Sequence, residues 1–304
     1  WLYGQRRTGS LPSGIITKGI GGFYYVASGN QLYECKARGV FRKNDIIPLV
    51  GDKVEFSIID PVQKKGFIES IEKRSTQLVR PAVANIDQLV AVIAARSPDP
   101  DLMLLDKLLV TAKKIGIKAS VCINKTDLDE RNKRNFYIDI YKSAGYRVLE
   151  TSSKDKTGFE ELKAELIGHI TVFAGQSGVG KSTILNVIMD TMVMKTGTLS
   201  EKIERGKHTT RHAELIRLND GGYIVDTPGF SSFELSSIDC KELQYLFPEF
   251  EKYIDGCRFT GCSHIKEPGC KVKEAVEAGD ISKSRYGNYI ELYTALKDEE
   301  SRKY

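Results

Sequence analysis

Residues 175–182 read Gly175-Gln176-Ser177-Gly178-Val179-Gly180-Lys181-Ser182, which matches the phosphate-loop pattern G-x-x-x-x-G-K-[ST]. The stretch follows an apolar strand-like run, Thr171–Ala174, and precedes a helical pattern over Lys181–Met189. The glycines allow the backbone N–H groups to face phosphate oxygens, and the helix N-terminus adds partial positive charge. We expect Lys181 to reach the β- and γ-phosphates and Ser182 to bind Mg²⁺, with Thr183 also at the nucleotide. This motif alone does not choose between ATP and GTP.

The sequence around the P-loop alternates buried strands with helices. Gln88–Ala95 and Ile117–Ile123 are continuous apolar runs, as expected for strands that are covered on both faces. Between and after them we predict helices over 101–115, about 131–144 and 159–169, and a strand over 146–150. This alternation predicts a mostly parallel sheet with helices on its faces, over residues 81–235.

Asn124-Lys125-Thr126-Asp127 follows one of these buried runs and favours guanine. Ligand loops of α/β sheets lie at the carboxyl ends of strands. There the Asp127 carboxylate can accept hydrogen bonds from guanine N1–H and the exocyclic amine, which adenine does not offer in that geometry. We expect Asn124 to brace the loops and Lys125 to cover the base. After the next strand, Thr151, Ser152 and Ser153 fit a loop on the other side of guanine, although they also suit a helix N-terminus.

Asp226-Thr227-Pro228-Gly229 follows a short apolar strand and supplies a D-x-x-G element. We expect Asp226 to hold Mg²⁺ through water and Gly229 N–H to contact the γ-phosphate. Between the P-loop and this element, residues 206–212 read GKHTTRH and suit a switch loop. Thr210, or alternatively Thr209, is expected to complete the Mg²⁺ shell.

The residue after D-x-x-G is Phe230, where Ras-type enzymes carry a Gln that orients the attacking water. Phenylalanine cannot orient water, so intrinsic hydrolysis is expected to be slow. His208 is the internal candidate for a catalytic role, with a surface role as the alternative.

The motifs occur in a rotated order along the chain. The guanine loop (124–127) and residues 151–153 precede the P-loop, and the switch elements come last. Ordinary GTPases place the P-loop first. The sequence therefore predicts a circularly permuted G domain, in which the second switch runs directly into the C-terminal segment.

Residues 14–80 contain four or five short strand-like runs punctuated by Gly, Asn and Asp, which predicts a small antiparallel barrel. An OB-fold is the first choice and an SH3-like barrel the alternative. Residues 1–80 hold 13 Lys and Arg against 7 Asp and Glu, whereas the whole chain has a net charge of +5. This excess suits a polyanion as partner or a solvated surface equally well. Residues 1–13 are expected to be a vector-derived or disordered tail.

The C-terminal segment, residues 236–304, reads as helices around four potential metal ligands. Cys257, Cys262, His264 and Cys270 form a Cys3His set, typical of structural Zn²⁺, with a disulfide or a buried thiol cluster as the alternative. The scattered remaining cysteines do not form a secreted disulfide framework, which favours a reducing cytoplasm. Cys122 is interpreted as core, while Cys35 and Cys240 are unassigned.

Taken together, the rotated motifs GQSGVGKS, GKHTTRH, DTPGF and NKTD and the Cys3His set resemble the bacterial RsgA (YjeQ, YloQ) family over about residues 14–300. The resemblance implies an OB-fold that touches 16S ribosomal RNA, a permuted G domain and a zinc domain. It also implies low GTPase activity, from GTP to GDP, that the 30S subunit stimulates late in its maturation.

Two other functions stay open from the residues. One is an ATP-using P-loop enzyme, against which NKTD argues. The other is an RNA-binding, nucleotide-gated scaffold with little turnover, against which Lys181, Ser182 and Asp226 argue. We expect no membrane segment, a cytoplasmic location and a monomer.

Overall fold

The computed structural model describes residues 10–43, 45–79, 81–129, 132–192, 213–226 and 238–302. These residues fall into two compact units. The first contains residues up to Ile86 together with the segments that carry the last two strands, and the second contains the remaining sheet and the C-terminal helices.

The elements of the first half of the chain are β1 (Ser13–Ile20), β2 (Phe23–Ser28), β3 (Gln31–Ala37), α1 (Gly39–Lys43), β4 (Lys53–Asp60), β5 (Lys65–Ile71), β6 (Gln77–Leu78), β7 (Val83–Ala84), β8 (Gln88–Ala94), α2 (Leu102–Ile115), β9 (Lys118–Asn124) and α3 (Arg134–Ser143). Those of the second half are β10 (Arg147–Glu150), α4 (Phe159–Leu166), β11 (Ile170–Ala174), α5 (Lys181–Met192), β12 (Glu214–Arg217), β13 (Tyr223–Asp226), α6 (Glu251–Ile254), α7 (Lys271–Ala278) and α8 (Lys283–Arg302).

The first unit is built on a closed five-stranded barrel. Its strands pair in the order β1-β2-β3-β5-β4, and β4 closes the barrel by pairing with β1. Strands β3 and β5 run parallel, and the other barrel pairs run antiparallel. Buried residues of these strands, among them Ile16, Val26 and Phe56, form the barrel core. This connectivity confirms the predicted OB-fold over the SH3-like alternative.

The first unit also contains β12 and β13, which pair with each other antiparallel. Strand β12 pairs with β1, with Lys18 opposite Glu214. Their side chains form an ion pair of 3.1 Å.

The second unit is built on a parallel sheet in the order β10-β9-β8-β11. Every residue of β8 and β11 is buried, as the apolar runs predicted. Several helix boundaries differ from the prediction by up to three residues: α3 begins at Arg134 rather than about 131, α5 continues to Met192 rather than 189, and α4 ends at Leu166 rather than 169, because Ile167 takes an extended backbone conformation. Strand β9, which leads to the guanine loop, precedes the P-loop strand β11 in the chain, so the structure has the predicted rotated order.

The C-terminal helices form a second core within the same unit. Leu243, Phe247, Phe250 and Tyr289 are buried in it, and Val110 of α2 joins them. Helix α2 therefore contacts the parallel sheet and the C-terminal helices at once. Among the described residues, we find no helix with the length and apolar character that a membrane crossing requires.

Candidate nucleotide-binding site and Cys/His centre

The P-loop leaves the sheet at Gly175, directly after β11, and ends at Lys181, where α5 begins. Gly175 has φ 148°, and a Cβ there would lie 2.1 Å from the Val92 carbonyl oxygen. Only glycine fits this approach. Val179 is buried, whereas Ser177 and Gly178 are exposed at the open side of the loop. The residues predicted to cradle phosphate thus form a curved loop at the carboxyl end of the sheet.

Lys181 is held inside its own loop. Its Nζ atom donates to the carbonyl oxygens of Gly175 at 2.6 Å and Gln176 at 2.9 Å. Partial burial lowers the pKa of this ammonium group. Ser182 and Thr183 follow in the first turn of α5, and both are exposed. Both carbonyl partners of Lys181 thus belong to the P-loop itself.

The guanine loop is bound to the P-loop by two side chains. Asn124 ends β9 and is buried, and its Nδ2 donates to the Val179 carbonyl oxygen at 2.9 Å. Lys125 Nζ donates to the Gly178 carbonyl oxygen at 2.8 Å and also to the Ser97 carbonyl oxygen. Lys125 has φ 60°, a left-handed conformation that is unfavourable for a residue with a Cβ and that recurs at functional sites.

Gly180 makes this contact between the loops possible. A Cβ on Gly180 would lie 2.3 Å from Asn124 Nδ2. The P-loop glycine is therefore needed for the approach of the guanine loop as well as for its own φ of 97°.

Residues 151–153 join the same assembly through their hydroxyl groups. Thr151 Oγ1 donates to Asn124 Oδ1 at 3.1 Å, and Ser153 Oγ lies 3.3 Å from the same oxygen. Ser152 Oγ donates to Asp127 Oδ1 at 2.8 Å. Thr151 and Ser152 are buried, whereas Asp127 is exposed. These bonds fix the Asn124 amide and one Asp127 oxygen, which leaves the other Asp127 oxygen for a ligand.

Cys122 is buried, as interpreted from the sequence, but it is not inert packing. Its Sγ lies 3.4 Å from Thr151 Oγ1. Burial raises its pKa to about 11, so it stays a thiol. The thiol can therefore donate to Thr151, which in turn donates to Asn124.

The remaining predicted nucleotide residues are only partly covered by the structure. Asp226 is the last residue of β13 and is half-buried. His208, Thr209, Thr210, Gly229 and Phe230 lie outside the described residues.

The four predicted zinc ligands meet in one cluster. Their donor atoms all lie within 4.8 Å of one another. His264 Nδ1 is 3.3 Å from Cys270 Sγ and 3.6 Å from Cys257 Sγ, and these two sulfurs are 3.9 Å apart. A tetrahedral Zn²⁺ site with ordinary bond lengths has S···S distances of about 3.8 Å and S···N distances of about 3.6 Å. The cluster therefore fits Zn²⁺ closely.

His264 is oriented for metal binding by its second ring nitrogen. Nε2 lies 2.9 Å from Gln244 Oε1, an acceptor, so this nitrogen carries the proton and Nδ1 keeps its lone pair for the cluster. Burial lowers the pKa of His264, which also favours the neutral ring. The hydroxyl groups of Tyr286 and Tyr289 donate to the carbonyl oxygens of His264 and Ser263. Helix α8 thereby holds the metal-ligand loop.

Sequence comparison decides the family. The RsgA GTPase family model matches residues 71–236, and the RsgA N-terminal domain model matches residues 13–68. The chain belongs to the RsgA GTPase family. It is accordingly a GTP hydrolase, and membership implies the use of guanine nucleotide and Mg²⁺.

Relatives of the RsgA family match nearly the whole chain. The small ribosomal subunit biogenesis GTPase RsgA of Ruminiclostridium cellulolyticum is 58% identical over 290 residues, which cover 95% of each protein. The crystal structure of YloQ, a circularly permuted GTPase, has a TM-score of 0.82 and 39% identity, and the match covers 98% of this chain and 99% of that one. YjeQ from Thermotoga maritima matches with a TM-score of 0.80 and 36% identity, over 94% of this chain and 98% of its own.

Three features of this RsgA chain escaped sequence reasoning. They are the Ser97 carbonyl beneath Lys125, Gln244 behind His264, and a buried pair between Arg285 and Asp106. None lies in a recognisable motif. A charged residue within the apolar face of α2, at Asp106, was the one signal that could have indicated a buried partner.

Proposed function

We propose that this chain binds GTP in the pocket formed by the P-loop, the guanine loop and residues 151–153, and hydrolyses it slowly until the small ribosomal subunit stimulates it. The observation that carries the proposal is the double hydrogen bond of Asn124 and Lys125 to the P-loop carbonyls. It fixes the distance between the element that reads the base and the element that holds the phosphates.

Each part of the pocket has a proposed role. The P-loop N–H groups and Lys181 bind the phosphates. Lys181 also stabilises the negative charge that develops on the phosphate oxygens in the transition state of hydrolysis. Asp127 accepts from guanine, and Ser152 holds it in place. Ser182 binds Mg²⁺, with Asp226 and Thr210 as further ligands, and Gly229 N–H contacts the γ-phosphate. Bound Mg²⁺ would neutralise negative charge on the β- and γ-phosphates.

We also propose roles for the flanking regions. The barrel, residues 14–80, binds 16S ribosomal RNA of the 30S subunit. The Cys3His cluster holds one structural Zn²⁺ that stabilises residues 236–304. Relatives named for small ribosomal subunit biogenesis support the small subunit as the partner. Late subunit maturation in the cytoplasm is the proposed setting, and a monomer the proposed working state.

Nucleotide competition tests the pocket. A fluorescent GDP analogue bound to the purified protein should be displaced by GTP and not by an equal concentration of ATP. Lys181→Ala should abolish GTP turnover because it removes the phosphate-binding ammonium. Equal displacement by ATP would favour an ATP-using P-loop enzyme. Guanine binding with no turnover under any condition would favour a nucleotide-gated RNA scaffold.

A further inference from the structure

A buried arginine joins the C-terminal helices to the nucleotide-binding part of the second unit. Arg285 of α8 has no exposed surface. Its Nη1 donates to Asp106 Oδ1 of α2 at 2.6 Å. Its Nε and Nη2 donate to the two carboxylate oxygens of Glu249 at 2.5 and 3.0 Å. One cation thus binds two carboxylates from two different segments.

The side chains around Arg285 and Asp106 restrict the conformations of both residues. The Arg285 guanidinium lies over the rings of Tyr141, Tyr146 and Phe247, at 4.8 to 5.5 Å from their centroids. Asp106 also accepts from Tyr141 Oη at 3.0 Å and from Asn288 Nδ2 at 2.7 Å. These contacts lie in the buried interior, so a displaced α8 would remove Arg285 and Asn288 from the buried Asp106 carboxylate and leave it the hydrogen bond from Tyr141 of α3.

Asp106 belongs to helix α2. In the chain, this helix lies between the loop that contains Ser97 and strand β9, which leads to the guanine loop. The loop before α2 contains Ser97, whose carbonyl accepts from Lys125.

Helix α2 itself begins after Asp101, whose carboxylate caps the helix by accepting from Leu104 N–H at 2.9 Å. Asp106 lies five residues further, about 7 Å along the axis. After α2, Gly116 turns the chain into β9, which ends at Asn124.

We propose that Arg285 is a positioning residue for the nucleotide pocket, acting through Asp106 and helix α2. The C-terminal helices thereby hold α2 in the position in which Ser97 supports Lys125 and β9 presents Asn124. Because coupling is reciprocal, nucleotide in the pocket also stabilises α8 against local opening. This inference rests on the proposed guanine-nucleotide site.

Arg285→Lys is the informative variant. Lysine keeps the positive charge but lacks the planar fork with which Arg285 donates to both Glu249 oxygens and to Asp106 at once. We expect the dissociation constant for GDP to rise about tenfold, within the usual range of coupling between sites. Lys163→Ala, which removes an exposed ion pair with Glu160 on α4, is the control and should bind GDP as the wild type does.

Amide hydrogen exchange distinguishes a positioning role of Arg285 from a role in stability alone. In the wild type, GDP should slow amide exchange in α8, although α8 contributes no residue to the proposed pocket. In Arg285→Lys this GDP-dependent slowing should vanish. A wild-type protein that does not bind GDP would overturn the proposed function itself. Normal GDP affinity and normal slowing in Arg285→Lys would overturn only the role of Arg285.

A milder variant covers the case in which Arg285→Lys does not fold. Asn288→Leu removes one donor to Asp106 from the same helix and leaves the arginine in place. It should raise the dissociation constant for GDP about threefold, less than Arg285→Lys does, because Arg285 and Tyr141 still donate to Asp106. An unchanged affinity in a folded Asn288→Leu protein would count against the proposal.

Discussion

Asn124 Nδ2 lies 2.9 Å from the carbonyl oxygen of Val179, although 55 residues separate the two in the chain. This bond joins the loop that reads the base to the loop that binds phosphate. Asn124 is also the acceptor for Thr151, so one buried amide holds three loops together. The same amide is fixed at both of its ends, which leaves it one orientation.

Replacing Asn124 with Ala should therefore weaken the pocket as a whole. The Val179 carbonyl and the Thr151 hydroxyl would each lose a partner in a buried place, at a cost of about 1–3 kcal/mol per group. We expect GDP affinity, measured by titration calorimetry, to fall at least tenfold (about 1.4 kcal/mol). Asn135→Ala, at an exposed position of α3, should leave affinity unchanged. Equal affinity of Asn124→Ala and the wild type would contradict this role.

Gly180→Ala tests the close approach of the two loops. Gly180 and Gly145 have φ values of 97° and 88°, so alanine strains the backbone at both positions. At Gly180 the new Cβ would also meet Asn124 Nδ2, whereas at Gly145 nothing lies within 4 Å. Both variants should lose about 1–2 kcal/mol of stability from strain in thermal unfolding. Only Gly180→Ala should lose nucleotide binding; comparable binding by the two variants would show that the contact does not matter.

The sequence predicted the fold well because its signals were local. The apolar runs of β8 and β11 and the short strands of residues 14–80 follow from burial, and the structure confirms a barrel and a parallel sheet. The motifs 124–127, 151–153 and 175–182 also predicted which loops would meet, because parallel strands present their carboxyl ends at one edge.

The tertiary contacts behind those loops were beyond sequence reasoning. Arg285 and Asp106 are 179 residues apart, and a single charged residue in a helix carries no information about its partner. Gln244 lies in a short 3₁₀ segment and belongs to no sequence motif, yet it sets the tautomer of His264. Such contacts depend on how helices pack, which periodicity does not encode.

Asp127→Asn tests base recognition. An amide at this position can donate to the carbonyl at C2 of xanthine, where guanine carries an amine. The variant should shift preference from GTP toward xanthosine triphosphate in competition assays by about 10- to 100-fold, which corresponds to about two net hydrogen bonds. Asp155→Asn is a close control, because the Asp155 carboxylate also lies beside Ser152 Oγ, at 3.2 Å, and is not assigned to guanine. A preserved GTP preference in Asp127→Asn would displace this residue from base recognition.

Loss of the bound metal should destabilise the C-terminal helices. The protein should contain one Zn²⁺ per chain by atomic absorption, and Cys270→Ser should lose it together with the cooperative unfolding of α7 and α8. Cys35→Ser, at a buried cysteine of the barrel core, should keep the metal. Full zinc content in Cys270→Ser would exclude this cysteine as a ligand.

Gln244→Ala should weaken metal binding without abolishing it. The His264 ring would lose the acceptor that orients it, an effect expected to lower Zn²⁺ affinity by about 10- to 100-fold. A competing chelator of known affinity measures the change. An affinity equal to that of the wild type would mean that the hydrogen bond at Nε2 does not orient the ring.

Phosphate release from GTP, with and without purified small ribosomal subunits, tests the central claim most directly. The account predicts slow release by the protein alone, a strong rise when the subunits are added, and no release by Lys181→Ala in either case. An unchanged rate in the presence of the subunits, from a protein that binds GTP normally, would contradict it.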